Sequence, residues 1–152
     1  MSGHTVALIP IAMAVLLTTP AFAEKQTATL TIEVKEVYQG RNYDPEHVRI
    51  SVFDEHTAGR LLRLASAYDD SKNPANDAGA DKMLRLRDRL VLELGKAPAL
   101  ARSSSRQVFH LRHQGNVVVF AAVSGEGEEM SVLHRRTKVS FGIPNHLKLL
   151  VN

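Results

Sequence analysis

The chain of 152 residues has no cysteine and no tryptophan. Without cysteine it has no disulfides, thiol nucleophiles, thiolate zinc sites or iron–sulfur ligands. Bacterial lipoproteins carry their lipid on a cysteine at the cleavage point, so the same absence excludes a lipid anchor on the chain as written. Packing alone must therefore hold the fold together, which is feasible for a domain of this size.

A strong excess of charge of either sign is also missing. Nineteen Lys and Arg stand against 16 Asp and Glu, which gives a formal net charge of +3. This mild basic bias is compatible with an acidic partner or an anionic membrane surface. It does not approach the charge pattern of a nucleic-acid-binding domain, so we expect no nucleic-acid partner.

The beginning of the chain has the features of an export signal. The apolar stretch over residues 6–17 is shorter than the roughly 20 residues of a membrane-spanning helix, and Pro10 interrupts it. Ala21, Phe22 and Ala23 fit the small-x-small pattern that signal peptidase cleaves after. Because the segment before residue 6 lacks Lys and Arg, an uncleaved anchor stays open. The favoured interpretation is a signal peptide over 1–23 and a single periplasmic domain over 24–152.

Two strand patterns separated by turn-forming residues follow. Apolar and polar residues alternate over 29–37 and again over 48–53, which predicts two half-buried strands. Residues 38–46 between them are rich in Gly, Asn, Asp and Pro, which predicts a surface loop.

The middle of the chain predicts one helix and a further strand. After the candidate N-cap Thr57, apolar residues recur at helical spacing: Leu61, Leu64, Ala65 and Tyr68. The polar residues 69–80 predict a surface loop. Residues 81–87 fit either a helix or a strand, and 90–94 predict a strand with three leucines facing inward.

The last third of the chain is rich in strand patterns. Residues 108–123 predict a hairpin turning at 113–116, and the apolar run 117–123 indicates a central strand covered on both faces. Residues 130–143 and 146–151 predict two more strands. Seven or eight strands with one helical insertion after the second strand favour a mostly β fold, an antiparallel β-sandwich.

Residue patterns typical of catalysis or metal binding are sparse. His110 and His113 on one strand would point to opposite faces, so they do not predict a metal site. Residues 54–56 are more typical of capping at a helix start than of acid–base chemistry. The serines at 103–105 lack the Gly-x-Ser-x-Gly setting of a nucleophile. We therefore predict no catalytic residue, no metal and no cofactor.

The loop over residues 38–46 is the most suggestive surface. It contains two tyrosines and an arginine, residue types enriched in binding hot spots. The alternative is that one tyrosine folds back over the end of the core. We predict a non-enzymatic binding module that engages a protein partner through four loop residues: Tyr38, Arg41, Asn42 and Tyr43.

The order of elements resembles one known family. The segments that carry the likeness are TLTIEVKEV, VRISVFD, AYDD at the end of the helical insertion, VLELG and VVVFAAVSG. Over most of residues 29–151 their spacing and character resemble the TssJ (SciN-like) outer-membrane lipoproteins of type VI secretion. The resemblance implies a transthyretin-like β-sandwich whose loop between the first two strands, here 38–45, contacts the periplasmic domain of the inner-membrane component TssM. This chain departs from the family in lacking the lipidated cysteine.

Two other classes of protein stay open. A periplasmic immunity or inhibitor protein would also be small, exported and cysteine-free, and would use a charged loop to block an enzyme. A small periplasmic enzyme would assemble its site from separated residues such as His47, Asp54 and His134. Convergence of those side chains in one pocket would favour the enzyme.

Overall fold

The structure is a computed structural model that describes residues 26–96, 100–102, 104–124 and 130–151, with only the backbone at 100–102. The predicted signal peptide and its cleavage point after Ala23 lie outside the described residues. Within the described ranges, no helix has both the length and the apolar character needed to cross a membrane.

The described chain is mostly β, with eight strands and two helices. In chain order they are β1 (Ala28–Tyr38), β2 (Arg41–Tyr43), β3 (His47–Asp54), α1 (Gly59–Asp70), α2 (Asp77–Lys96), β4 (Leu100–Arg102), β5 (Arg106–Leu111), β6 (Gly115–Ser124), β7 (Met130–Val139) and β8 (Pro144–Val151).

The strands form two four-stranded sheets. In the first sheet β1 lies between β8 and β5, and β2 pairs with the last three residues of β1. The second sheet has the order β4-β3-β6-β7 and is antiparallel throughout. β8 runs parallel to β1, so the prediction of an antiparallel fold is wrong for this pair. Parallel pairing needs a crossover, and here the chain passes through the second sheet before β8 returns to the first.

The inward faces of both sheets share one hydrophobic cluster, to which β1, β3, β5, β6, β7 and β8 all contribute. β1 shows why the sequence folds this way. Its core-facing residues are fully buried, and the residues between them are partly exposed: Ala28, Leu30, Ile32 and Val34 against Thr29, Thr31, Glu33 and Lys35. The strand predicted from this alternation is confirmed.

The two helices cover the outer face of the second sheet. Residues of both elements form a second buried cluster: Phe53, Val118, Phe120 and Val132 from the sheet, and Ala58, Leu61, Ala65, Tyr68, Leu90 and Leu94 from the helical segment. β6 is therefore covered on both faces, and residues 117–121 are fully buried. This confirms the central strand predicted from the apolar run.

The strand predicted over residues 90–94 is wrong, because this segment lies in α2. Leu90 and Leu94 are buried on one helical face, and Leu92 between them is 56% exposed. Leucines at 90 and 94 fit one face of a helix as well as one face of a strand, and the Lys, Met, Leu and Arg residues before them favour a helix. The insertion thus contains two helices rather than one. It follows the third strand rather than the second, because β2 precedes β3.

The hairpin predicted over residues 108–123 is also wrong. β5 pairs with β1 in the first sheet, whereas β6 pairs with β3 and β7 in the second. The chain does turn near the predicted place, and Gly115 has a φ of 125°, which favours glycine. The turn carries the chain from one sheet to the other. A pattern of two successive strands does not reveal whether they pair with each other.

Candidate functional site

The candidate site is a hairpin that extends β1 beyond the core. Arg41–Tyr43 pairs with residues 36–38, so the segment predicted as a loop contains a strand. Gln39 and Gly40 have φ values of 49° and 73°. Both central residues of a type I′ turn need such left-handed values, and this turn matches the twist of paired strands. We call residues 36–43 the hairpin.

The register of the hairpin divides the four predicted residues between its two faces. Directly opposed residues point to the same side, as do residues two apart along a strand. Tyr38 opposes Arg41, and Tyr43 lies two residues from Arg41, so these three share one face. Asn42 opposes Val37 on the other face. We call the surface of Tyr38, Arg41 and Tyr43 the tyrosine face.

Both tyrosines of the hairpin are exposed. Tyr38 is 65% and Tyr43 46% exposed, although they lie on the same side of β1 as the buried residues Leu30, Ile32 and Val34. Neither tyrosine covers the end of the core, as the alternative interpretation would require. The third tyrosine of the chain, Tyr68, lies on the buried face of α1 in the cluster between the helices and the second sheet, and it is only 5% exposed. The two tyrosines of the tyrosine face thus keep a large part of their surface exposed.

An ionic network holds the base of the hairpin. Lys35 Nζ lies 2.7 Å from Asp44 Oδ1 and 3.3 Å from Glu33 Oε1. The hydroxyl of Ser105 donates to Asp44 Oδ1 at 3.2 Å, and the backbone N–H of Val34 donates to the Ser105 carbonyl at 2.7 Å. These contacts tie the end of β2 to β1 and to the segment before β5, so they orient the hairpin against the first sheet.

We expect this network to depend on pH. The hydrogen bond from Lys35 holds the pKa of Asp44 below its ordinary value near 4, and the bond to Asp44 raises the pKa of Lys35. Because the Asp44 pKa is lowered, its stabilising contribution is present above about pH 4 and is lost as the pH falls through the lowered value. The contribution of Lys35 is present below its ordinary pKa and is lost as the pH rises through the raised one.

An NMR titration of the Asp44 carboxyl tests this prediction. In a Lys35→Met variant, the pKa of Asp44 should move back toward the ordinary value, because the largest cause of its lowering is gone. The exposed Lys138, on β7, serves as a control, and Lys138→Met should leave the titration unchanged. Identical titration of Asp44 in the Lys35→Met variant and in the wild type would contradict the assigned network.

The residues of the enzyme alternative do not converge. His47 and Asp54 are the first and last residues of β3, roughly 23 Å apart at about 3.3 Å per residue. His134 lies near the level of the middle of β3, because Phe120 of β6 opposes both Ser51 and His134. The three side chains therefore occupy different levels of the second sheet.

Two of these side chains have partners that explain their positions. Asp54 accepts hydrogen bonds from the backbone N–H of Thr57 at 2.9 Å and from its hydroxyl at 2.5 Å, and the hydroxyl bond is the main cause of its lowered pKa. The side-chain oxygens that accept hydrogen bonds in the turn before α1 thus belong to Asp54, whereas the predicted cap was Thr57. The ring of His134 stacks on Phe120 at 5.8 Å, and its Nδ1 lies 3.5 Å from Asp69 Oδ2. In the described ranges no three His, Asp or Glu side chains gather as metal ligands would.

Several residues of the site could not be identified from sequence patterns. Glu36 opposes Tyr43 and joins the base of the tyrosine face, but only the register reveals this. Ser105 contacts Asp44 from 61 residues away, and no local pattern predicts that contact.

Comparison of the chain with protein-family models, with curated proteins and with solved structures finds no match.

Proposed function

We propose that this protein is a periplasmic, non-enzymatic binding module that engages a protein partner through the tyrosine face. The observation that carries the proposal is the register of the hairpin, which aligns Tyr38, Arg41 and Tyr43 on one side with both tyrosines exposed. Tyrosine and arginine combine a large contact area with hydrogen bonding, as binding anchors do. The tight turn and the network at the base order the backbone in advance, which lowers the entropy lost on binding.

The partner we propose is the periplasmic domain of TssM, within a type VI secretion membrane complex. The TssJ resemblance implies contact through residues 38–45, and these include the exposed part of the hairpin. The first part of the order of elements supports this assignment, because the hairpin joins the two long strands β1 and β3 and the helical insertion follows β3. The segment VLELG does not add support, because it lies in α2 rather than in a strand. The shared core of the two sheets supports a transthyretin-like β-sandwich. Export would depend on the signal at 1–23, without a lipid on cysteine.

A triple variant tests this function. We expect Tyr38→Ala, Arg41→Ala and Tyr43→Ala together to leave the fold intact and to weaken binding to TssM by at least about thirtyfold at 25 °C. Truncation of a true anchor costs about 2 kcal/mol or more, which corresponds to that loss. Titration calorimetry with the purified periplasmic domain of TssM from the same genome measures the affinity.

The protein for these assays should be isolated after export. Mass spectrometry of the exported protein should then give the mass of a chain that starts at Glu24.

The matched control removes exposed apolar groups elsewhere. Val108 is 47% and Ile143 56% exposed, so Val108→Ala combined with Ile143→Ala should leave the affinity unchanged. A single Asn42→Ala variant reports whether the partner also reaches the opposite face of the hairpin. Unchanged affinity of the triple variant would remove the hairpin from the interface. If the wild type does not bind TssM at all, the assay to run next is inhibition of an enzyme encoded by a neighbouring gene, as an immunity protein would show.

A further inference from the structure

A second surface lies where the open edges of the two sheets meet. In the described chain β7 pairs only with β6, and β8 pairs only with β1. Between these edges is a cleft of about 250 Å³, lined by Leu133, His134, Arg135, Lys148, Leu149 and Leu150. Side chains of consecutive strand residues point to opposite faces of a sheet. A cleft on one face would therefore be lined by every second residue of a strand. Because three consecutive residues of each strand line this cleft, it runs along the edges of the two strands.

Edge strands can bind an extended peptide through their backbone. On the unpaired side of such a strand, N–H and C=O groups point outward, and another chain can pair with them as an added strand. The exposed apolar surface in this cleft comes mainly from Leu150, which is 48% exposed, because Leu149 is buried in the core. A strand added here would therefore gain both backbone hydrogen bonds and a place for an apolar side chain.

The charge of the two edges selects the kind of peptide. β7 and β8 contain no Asp or Glu but carry four exposed cations: Arg135, Arg136, Lys138 and Lys148. Arg136 lies 3.5 Å from a carboxylate oxygen of Glu55. Arg135 and Lys148, which line the cleft, have no carboxylate at ion-pair distance within the described residues. Two cations facing the cleft from opposite walls complement a segment that carries carboxylates.

We infer that the β7/β8 cleft is a docking site for an extended acidic segment of a protein partner. The segment pairs as an added strand along one of the two edges, with carboxylates toward Arg135 and Lys148 and with an apolar side chain over the exposed Leu150. An anionic membrane would fit cations on an open flat face better than cations on the walls of a cleft. Cations on edge strands also discourage aggregation between edges, but that role alone gives no saturable binding of a peptide.

The cleft shares no residue with the hairpin. Lys148, Leu149 and Leu150 pair with residues 33–35 of β1, and the hairpin begins at Glu36. One partner can therefore contact both surfaces, but each can be tested alone. The hairpin triple variant should bind an acidic peptide as the wild type does, so failure of this inference is distinguishable from failure of the proposed function.

The probe is a fluorescent peptide of four Glu-Val repeats, with Lys-Val repeats as its control. Anisotropy should show saturable binding of the Glu-Val peptide that weakens as salt rises, and no binding of the Lys-Val peptide. A variant carrying Arg135→Glu and Lys148→Glu should bind the probe about tenfold more weakly or worse. A variant carrying Arg63→Glu and Arg89→Glu has the same charge change on exposed helix positions and should bind as the wild type does. Should the double reversal at the cleft impair folding, Arg135→Gln with Lys148→Gln replaces it.

Two further arms separate the possible modes of binding. A Glu-Val peptide methylated on alternate backbone nitrogens should bind poorly, because it cannot donate to the strand edge. Equal binding of the methylated peptide would overturn pairing as an added strand. Equal losses in the cleft variant and in the helix control would overturn the site. Binding to vesicles of phosphatidylglycerol and phosphatidylcholine without binding to the peptide would assign the cations to a membrane surface and overturn the inference.

Discussion

Replacing Phe120 with alanine should lower the free energy of unfolding by about 3–5 kcal/mol. Phe120 is fully buried in the middle of β6, where the helices cover the second sheet. Its ring meets Phe53 edge-on at 5.7 Å and stacks on His134 at 5.8 Å. Truncation therefore leaves a cavity between two layers and removes an aromatic pair, in addition to the lost transfer of the side chain from water.

Urea denaturation measures this loss, with an exposed strand residue as the control. Val108 is 47% exposed on β5, and Val108→Ala should change the free energy of unfolding by no more than about 0.5 kcal/mol. If the slope of the free energy of unfolding against urea concentration is unchanged, both variants expose about as much surface on unfolding as the wild type does. A loss below about 1 kcal/mol for Phe120→Ala would contradict the packing of the helices over β6.

Replacing Leu90 with alanine should lower the free energy of unfolding by about 2–5 kcal/mol, whereas replacing Leu92 with alanine should change it by no more than about 0.5 kcal/mol. In α2, Leu90 is fully buried against the second sheet and Leu92 is 56% exposed. The contrast arises because residues two apart lie on different sides of a helix. Alanine also favours the helix, so the Leu92 variant loses no backbone stability.

This pair of variants distinguishes a helix from a strand by equilibrium unfolding in urea. On a strand, residues 90, 92 and 94 would share one face, and the variants at 90 and 92 would lose similar amounts of stability. Leu94→Ala is the positive control, because Leu94 lies on the buried face one helical turn from Leu90. Similar losses at 90 and 92 would contradict the helix.

Local patterns predicted the elements whose burial follows a simple period. The alternation around Leu30 and Ile32 gave β1, and the apolar run around Phe120 gave β6 as a central strand. Such patterns do not specify which strands pair. β8 lies parallel to β1, and β5 and β6 separate into two sheets, because non-local packing selects the partners of a strand.

The same limit applies to the candidate site. Composition singled out Tyr38, Arg41, Asn42 and Tyr43, and the structure finds the tyrosines exposed. The pairing register of the hairpin depends on the turn at Gln39 and Gly40, which was not predicted. For that reason the sequence did not place Asn42 on the face opposite the tyrosines. The contacts of Asp44 with Lys35 and Ser105 depend on tertiary structure and could not be read from spacing.

We propose that the tyrosine face binds the periplasmic domain of TssM. The most direct test is backbone amide NMR of the ¹⁵N-labelled protein during titration with that domain. We expect the largest shift changes on residues 38–43, with smaller changes at Lys35 and Asp44 as the base of the hairpin responds. Saturable binding that leaves the amide shifts of residues 38–43 unchanged would show that the partner does not contact the tyrosine face.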